Sequence, residues 1–171
     1  IGYSVAINYL NDKIAANSVL KQIKQNGGTA IAVQADVSTE EGVTKLFKTV
    51  DKKLGTLTAL FANAGIVHKY AAITDYKVTT LEKIWRTNIS SQFLSCREAV
   101  LRMSKNRGGS GGSIVIMSSA ASRLGGGALM AYAASKGASD TLTIGLAQEV
   151  AKQGIRVNAV RPGLIDTKIH N

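Results

Sequence analysis

Cysteine is nearly absent: Cys96 is the single one in 171 residues. One thiol excludes an internal disulfide, and a lone cysteine fits a reducing compartment, so a cytoplasmic protein is expected. Cys96 lies in a helical stretch with no histidine beside it and reads as a small, half-buried residue. No run approaches the ~20 apolar residues of a membrane span, so no membrane partner is expected. The two histidines, His68 and His170, lack a partner at metal-ligand spacing. They read as surface or loop residues, and no metal site is expected. No repeat of fixed period and no disordered linker is visible. No secretory signal is visible either, but the chain opens on Ile1, so a segment upstream would not be seen.

Acid is scarce beside base: 11 Asp and Glu against 21 Lys and Arg, a formal charge of +10. Such a balance suits nucleic acid, an anionic surface or phosphorylated ligands. Aromatics make up only 5%, and no dense basic run is interleaved with them. Lys13, Lys21, Lys24, Lys45, Lys48, Lys52 and Lys53 are spread over the polar faces of two amphipathic helices. They read as solvated surface, and no nucleic-acid partner is expected.

What is present is one domain's worth of chain, 1–171, with 45% hydrophobic and 19% charged residues. Residues 4–8 read as a strand. Ala16, Val19, Leu20 and Ile23 recur at i, i+3, i+4, i+7, one helix face, and Asn26-Gly27-Gly28 stops it. Residues 30–33 form the next strand, ending near Asp36. Ser38 and Glu41 make a capping-box pattern, after which Val43, Leu46, Phe47, Val50 and Leu54 mark a second helix face. A strand over 57–62 ends in Asn63-Ala64-Gly65. A helical region over about 80–104 follows, with Leu81, Ile84 and Trp85 on one face. Strands at 113–117 and 156–160 flank a helix ending near Lys152. Strands and helices alternating at this length predict an α/β fold, a doubly wound parallel sheet with helices on both faces.

The stretch GSIVIMSSAASRLGGGALMAYAASK, Gly112 to Lys136, organises the rest. An apolar strand stops at Ser118 and Ser119, and a glycine run, 125–127, bridges to a helix presenting Tyr132 and Lys136. Four residues apart, the two side chains share a face, one turn from each other. A tyrosine hydroxyl, with a pKa of about 10, gives up its proton reluctantly. A nearby ammonium favours the phenolate, and a serine at the strand end supplies a second hydrogen bond to the same substrate oxygen. In a doubly wound sheet, ligands sit beyond the carboxyl ends of the strands. Tyr9, Asp36, Asn63, Ser119 and Pro162 follow five successive strands there.

These residues resemble the short-chain dehydrogenase/reductase family. The resemblance rests on Ser119, Tyr132 and Lys136 in S-x12-Y-x3-K, Asn63-Ala64-Gly65, Asn88, and Arg161-Pro162-Gly163 with Thr167, in the family's order. It is closest in look to the branch of glucose 1-dehydrogenases and 3-oxoacyl-carrier-protein reductases. It implies a Rossmann-like, three-layer α/β/α fold and hydride transfer between a nicotinamide and a carbonyl or secondary alcohol. By that resemblance Tyr132 is the general acid or base, Ser119 holds the substrate oxygen, Lys136 depresses the tyrosine pKa and binds the nicotinamide ribose, and Asn88 supports a proton relay. Asp36 and Val37 match the pair that receives the adenine edge. Asn63, Ala64 and Gly65 match the turn against the adenosine half. Pro162 and Gly163 lay backbone against the nicotinamide, with Ile165 and Thr167 at positions holding its carboxamide and phosphates. Homodimers or homotetramers are expected by analogy.

Cofactor choice is read at the strand end Ile7-Asn8-Tyr9-Leu10-Asn11. An acid there would accept hydrogen bonds from an NAD ribose and repel a 2′-phosphate, and none precedes Asp12. NADP(H) is therefore favoured over NAD(H), with Asn8, Tyr9 and Asn11 near the phosphate. The resemblance also implies a first strand and a glycine-rich T-G-x-x-x-G-x-G turn before Ile1, and a substrate loop and at least one strand after Asn171. That first strand would sit between strands 4–8 and 57–62, so no direct pairing of those two is expected. Two other readings stand beside the enzyme: a non-catalytic NAD(P)-binding protein of the same fold, and a basic nucleic-acid-binding module.

Overall fold

A computed structural model describes residues 2–166. Five strands alternate with helices: β1 (Val5–Tyr9), α1 (Lys13–Gln25), β2 (Ala30–Gln34), α2 (Glu40–Leu54), β3 (Ala59–Ala62), α3 (Val78–Trp85), α4 (Ser91–Met103), β4 (Gly112–Met117), α5 (Ala121–Leu124), α6 (Met130–Val150) and β5 (Ile155–Val160). A π turn, Arg86–Ser90, joins α3 to α4. All pairings are parallel: β1 with β2, and β3 with β4 with β5. The α/β class and parallel sheet read from the sequence are thus observed. The strands form two sheets, β1-β2 and β3-β4-β5, and β1 does not pair with β3.

Helices flank both sheets. Helices α1 and α2 pack on β1 and β2, α4 on β3 and β4, and α6 chiefly on β5, while α2 also packs against α4. The core lies under β3-β4-β5, where Val43 and Phe47 of α2 meet Cys96, Ala99 and Met103 of α4, and Ile114 and Ile116 of β4. Ile114 and Ile116 are β-branched and fully buried, as expected of a central strand. Cys96 is fully rather than half buried, and burial pushes its thiol up to about 12.

The second amphipathic face was read well; its start was not. Helix α2 is capped by Thr39, in extended conformation, whose hydroxyl accepts from Gly42 N at 3.1 Å. Ser38, expected as the cap, instead donates its backbone N–H and its hydroxyl to Asp36 Oδ1, at 2.9 and 2.6 Å. The Asx turn takes Ser38 out of the capping position and moves the cap by one residue. In α1, Val19 is exposed although Ala16 is buried, so only part of the expected face packs. Trp85 likewise stands outside the core that holds Ile84. The bridge after Ser119 contains a short helix, α5, ahead of the glycines.

Candidate active site

Strand β4 delivers the two serines to its carboxyl end. The ladder with β5 ends at Met117 opposite Val160 and is extended by two backbone bonds, Ser118 N to Val160 O and Ala120 N to Pro162 O, both 2.9 Å. Ser119 is therefore bracketed and half-buried, its hydroxyl accepting from Ala121 N at 3.2 Å. Ser118 is buried and structural: its hydroxyl donates to Lys136 O at 3.1 Å. The serine pair divides: Ser119 stays half-buried at the strand end, while Ser118 ties the strand to α6.

Helix α6 brings Tyr132 and Lys136 together. Lys136 Nζ lies 5.6 Å from the centroid of the Tyr132 ring and donates to Met117 O at 2.7 Å. The residue is 2% exposed. Burial disfavours the ammonium and brings its pKa from the usual 10.5 down to about 8. An ammonium has three donors, and Lys136 makes one hydrogen bond among the described residues. Two donors are left over among the described residues.

Asn88 sits at the centre of the π turn, wholly buried rather than solvent-facing. Its Oδ1 accepts from Ile66 N at 2.8 Å, and its Nδ2 donates to Ile66 O at 2.9 Å and Ser135 Oγ at 3.0 Å. It thereby clamps the chain just after Asn63-Ala64-Gly65. A β-carbon placed on Gly65 would stand 3.5 Å from Asn88 Oδ1 and 3.6 Å from Lys136 Nζ. Four expected residues, Gly65, Asn88, Tyr132 and Lys136, therefore meet in one place, with Ser119 at the adjoining strand end.

The loop beyond is tied to the entry of α6. Ala71 N and Tyr76 Oη both donate to Ala128 O, at 2.9 and 3.4 Å. Ala128 holds φ 60°, alone among the described non-glycine residues. That strained conformation presents its carbonyl to the loop.

The remaining expected residues are spread along the strand ends. Tyr9 closes β1, half-buried, and Asp36 and Val37 follow β2, with the Asp36 carboxylate engaged in the turn with Ser38. Asn8 spends its amide hydrogens on β2 and the residue after it, donating to Val33 O at 3.3 Å and Ala35 O at 2.9 Å. The amide of Asn8, expected near a phosphate together with Tyr9 and Asn11, is thus engaged within the fold. Pro162 is held by Ala120, Gly163 has open space around its α-carbon, and Ile165 is exposed. Thr167 and His170 lie outside the described residues.

Several residues at the site were not singled out by sequence. Gln92, buried on α4, donates to Met117 O at 3.2 Å and accepts from Ser139 Oγ at 2.7 Å. Met117 O thus receives both Gln92 and the site lysine. Ser135 and Ser139 extend the same buried network along α6. A signal existed: 132, 135, 136, 139 and 140 follow the i, i+3, i+4, i+7, i+8 spacing of a packed helix face, and all five are polar.

Related proteins cover nearly all of this chain. An uncharacterized oxidoreductase, YgfF, of Escherichia coli strain K12 is 49% identical over 170 residues, 99% of this chain and 69% of the relative. Glucose 1-dehydrogenase 2 of Bacillus subtilis strain 168 is 34% identical over 165 residues, 96% of this chain and 63% of the relative. The crystal structure of a dehydrogenase/reductase from Sinorhizobium meliloti 1021 superposes with a TM-score of 0.89 at 30% identity, covering 97% of this chain and 64% of that one. The chain thus spans roughly two thirds of the length of these relatives. The sequence profile described as short chain dehydrogenase matches residues 1–171, and the chain belongs to that family.

Proposed function

We propose that this chain, as one dinucleotide-binding and catalytic domain, supports nicotinamide-dependent interconversion of a carbonyl and a secondary alcohol. The observation that carries the reading is the buried Lys136 ammonium beside the Tyr132 ring, with donors to spare and Gly65 against it. A buried cation beside a phenol is costly to fold and chemically useful, a combination expected of a functional site.

The nicotinamide supplies and accepts the hydride when bound. Everything else falls to the side chains. Ser119 Oγ donates to the substrate oxygen and fixes it. Tyr132 gives that oxygen a proton in reduction and takes it back in oxidation. Lys136 stabilises the phenolate left behind and offers its spare donors to the ribose hydroxyls. Asn88 holds Ile66 and Ser135, and so keeps the Gly65 turn against the lysine. Pro162 and Gly163, with Ile165 and Thr167, would face the nicotinamide. Asn63, Ala64, Gly65, Asp36 and Val37 would face the adenosine end.

NADP(H) is favoured over NAD(H), because no carboxylate precedes Asp12 after β1 and because Asp12 is used as the cap of α1, accepting from Ala15 N at 2.8 Å. The substrate is a small carbonyl or alcohol. The glucose dehydrogenase among the relatives makes sugars a first class to try. Exposed Phe93 and Leu101 on α4 and Ile144 on α6 support pairing of two copies, in a dimer or tetramer. The single, fully buried thiol fits a reducing, cytoplasmic setting. No helix among the described residues is long and apolar enough to cross a membrane.

The test is oxidation of NADPH and NADH by the full-length protein against ketones, aldehydes and sugar lactones. Turnover with any of them, lost in Tyr132→Phe, is the expected result. Tight coenzyme binding with no turnover across the panel would instead favour a non-catalytic binding protein.

A further inference from the structure

Helix α6 carries a second charged side chain, besides Lys136, on the face that presents Tyr132 and Lys136. Asp140 lies one turn beyond Lys136 and is 7% exposed. Both its carboxylate oxygens accept from Arg161 Nε, at 2.9 Å each. Arg123 of α5 stands further off, its Nε 3.7 Å from Oδ2. The Ser122 hydroxyl, buried with no regular hydrogen bond among the described residues, lies beside the carboxylate, as does that of Ser118. Burial alone would push the carboxyl up. Arg161, with these two hydroxyls, outweighs burial and holds it below the usual carboxylate range.

Arg161 sits just after the end of β5. It stands between Val160, whose carbonyl takes Ser118 N, and Pro162, whose carbonyl takes Ala120 N. Those two bonds bracket Ser119 on one side and Arg161 on the other. The side chain in the middle of this zip is clamped to α6. A buried carboxylate cannot be left unpaired cheaply, which favours keeping the contact with Arg161. Helix α6 therefore sets two distances at once: Tyr132 and Lys136 against the Ser119 loop, and Asp140 against the turn leading to Gly163.

We propose that Asp140 is a positioning residue: through Arg161 it fixes the Pro162–Gly163 turn in register with Ser119 and Tyr132, and so orients the nicotinamide end of the coenzyme. The inference rests on the nicotinamide reading of the site. Asp140 touches neither substrate nor coenzyme. Its loss misaligns the hydride-transfer end and leaves the adenosine end, gripped elsewhere, as it was.

The experiment compares Asp140→Asn, Arg161→Met and Arg161→Lys with wild type in the full-length protein. Affinity is measured by calorimetry for NADP+ and for 2′-phospho-ADP-ribose, which lacks the nicotinamide. Asp140→Asn and Arg161→Met are expected to weaken NADP+ by about tenfold and leave the fragment within about twofold, because misplacement is confined to one end. Arg161→Lys, which keeps the charge, recovers part of the loss. A parallel loss for both ligands would mean a merely structural role, and no loss for either would mean no role; each overturns the inference. A nicotinamide-specific loss in a protein that turns over no substrate would uphold it while sinking the catalytic reading. A wild type that binds neither ligand would sink both.

Discussion

Replacing Lys136 by methionine should make the protein more stable and less active. At pH 7 the folded state holds this lysine charged, at 2% exposure, with a pKa brought from 10.5 to about 8. The difference is worth about 3 kcal/mol against folding. Methionine fills a similar volume without the charge. The substitution gives up the Nζ bond to Met117 O, a loss of roughly 1 kcal/mol. Met117 O is not orphaned, because Gln92 still donates to it. The net expectation is a gain of about 2 kcal/mol at pH 7, or roughly 5 °C in Tm.

The sign of the pH dependence follows from the direction of the shift. A lysine whose folded pKa is depressed carries its full penalty below the folded value, and the penalty fades as pH rises towards the unfolded one. Between about pH 8 and 10.5 the unfolded chain binds more protons than the folded one, so wild type gains stability with pH. The variant has no such term. Its advantage should be largest at pH 7, shrink above pH 8 and vanish near pH 10. Urea unfolding of both full-length proteins at pH 7, 8.5 and 10 reads the difference directly, since other titrating groups cancel. A Lys136→Met protein less stable than wild type at pH 7 would refute the account of a desolvated, functionally retained cation.

Three further outcomes follow. Tyr132→Phe removes the one transferable proton beside Lys136, so kcat should fall by about 10²-fold or more while NADP+ affinity stays near wild type; retention of a tenth of the rate in steady-state kinetics would sink the assignment. The ratio of kcat/KM for NADPH over NADH should exceed one, and a tenfold preference for NADH would remove the argument from the acid-free end of β1. Gly42→Ala should destabilise by about 2 kcal/mol or more, because a β-carbon there collides with the backbone carbonyl of Asp36; a chevron or melt showing an unchanged protein would mean that the Asp36 turn yields freely.

The parts of this fold that the sequence made legible are those governed by local pattern. The face Val43, Phe47 and Val50 was read correctly because α2 is amphipathic and packs its apolar side inward. Strands β2, β4 and β5 were found because β-branched runs are bounded by glycines and turns. Where the expectation failed, the reasons differ, and at Ser38 a local competitor won. Ser38 fits a capping box, but Asp36 lies two residues before it and captures its hydroxyl and its N–H. Val19 keeps helical spacing, yet it points to solvent. Asn8 looked available for a phosphate, since nothing in the sequence says that β2 lies within reach of its amide.

The site itself was legible only where a pair of residues has chemistry of its own. Tyr132 and Lys136 announced themselves; Ser135, Ser139 and Asp140, on the same face, did not. The reason is physical. A helix face is ordinarily recognised by what water rejects, and this one is buried although it is polar. Its burial is tolerated because each group finds a partner far away in sequence: Ser135 in Asn88 and Ser139 in Gln92, each 47 residues distant, and Asp140 in Arg161, 21 residues distant. Such partners obey no period, so pattern cannot supply them. The π turn has the same origin. Nothing local demands an extra residue at 86–90; the demand comes from Ile66, whose N–H and carbonyl Asn88 must reach together. A buried polar stripe at packed-helix spacing is therefore itself a signal: it predicts a network of distant partners, and here that network lies beside Tyr132 and Lys136.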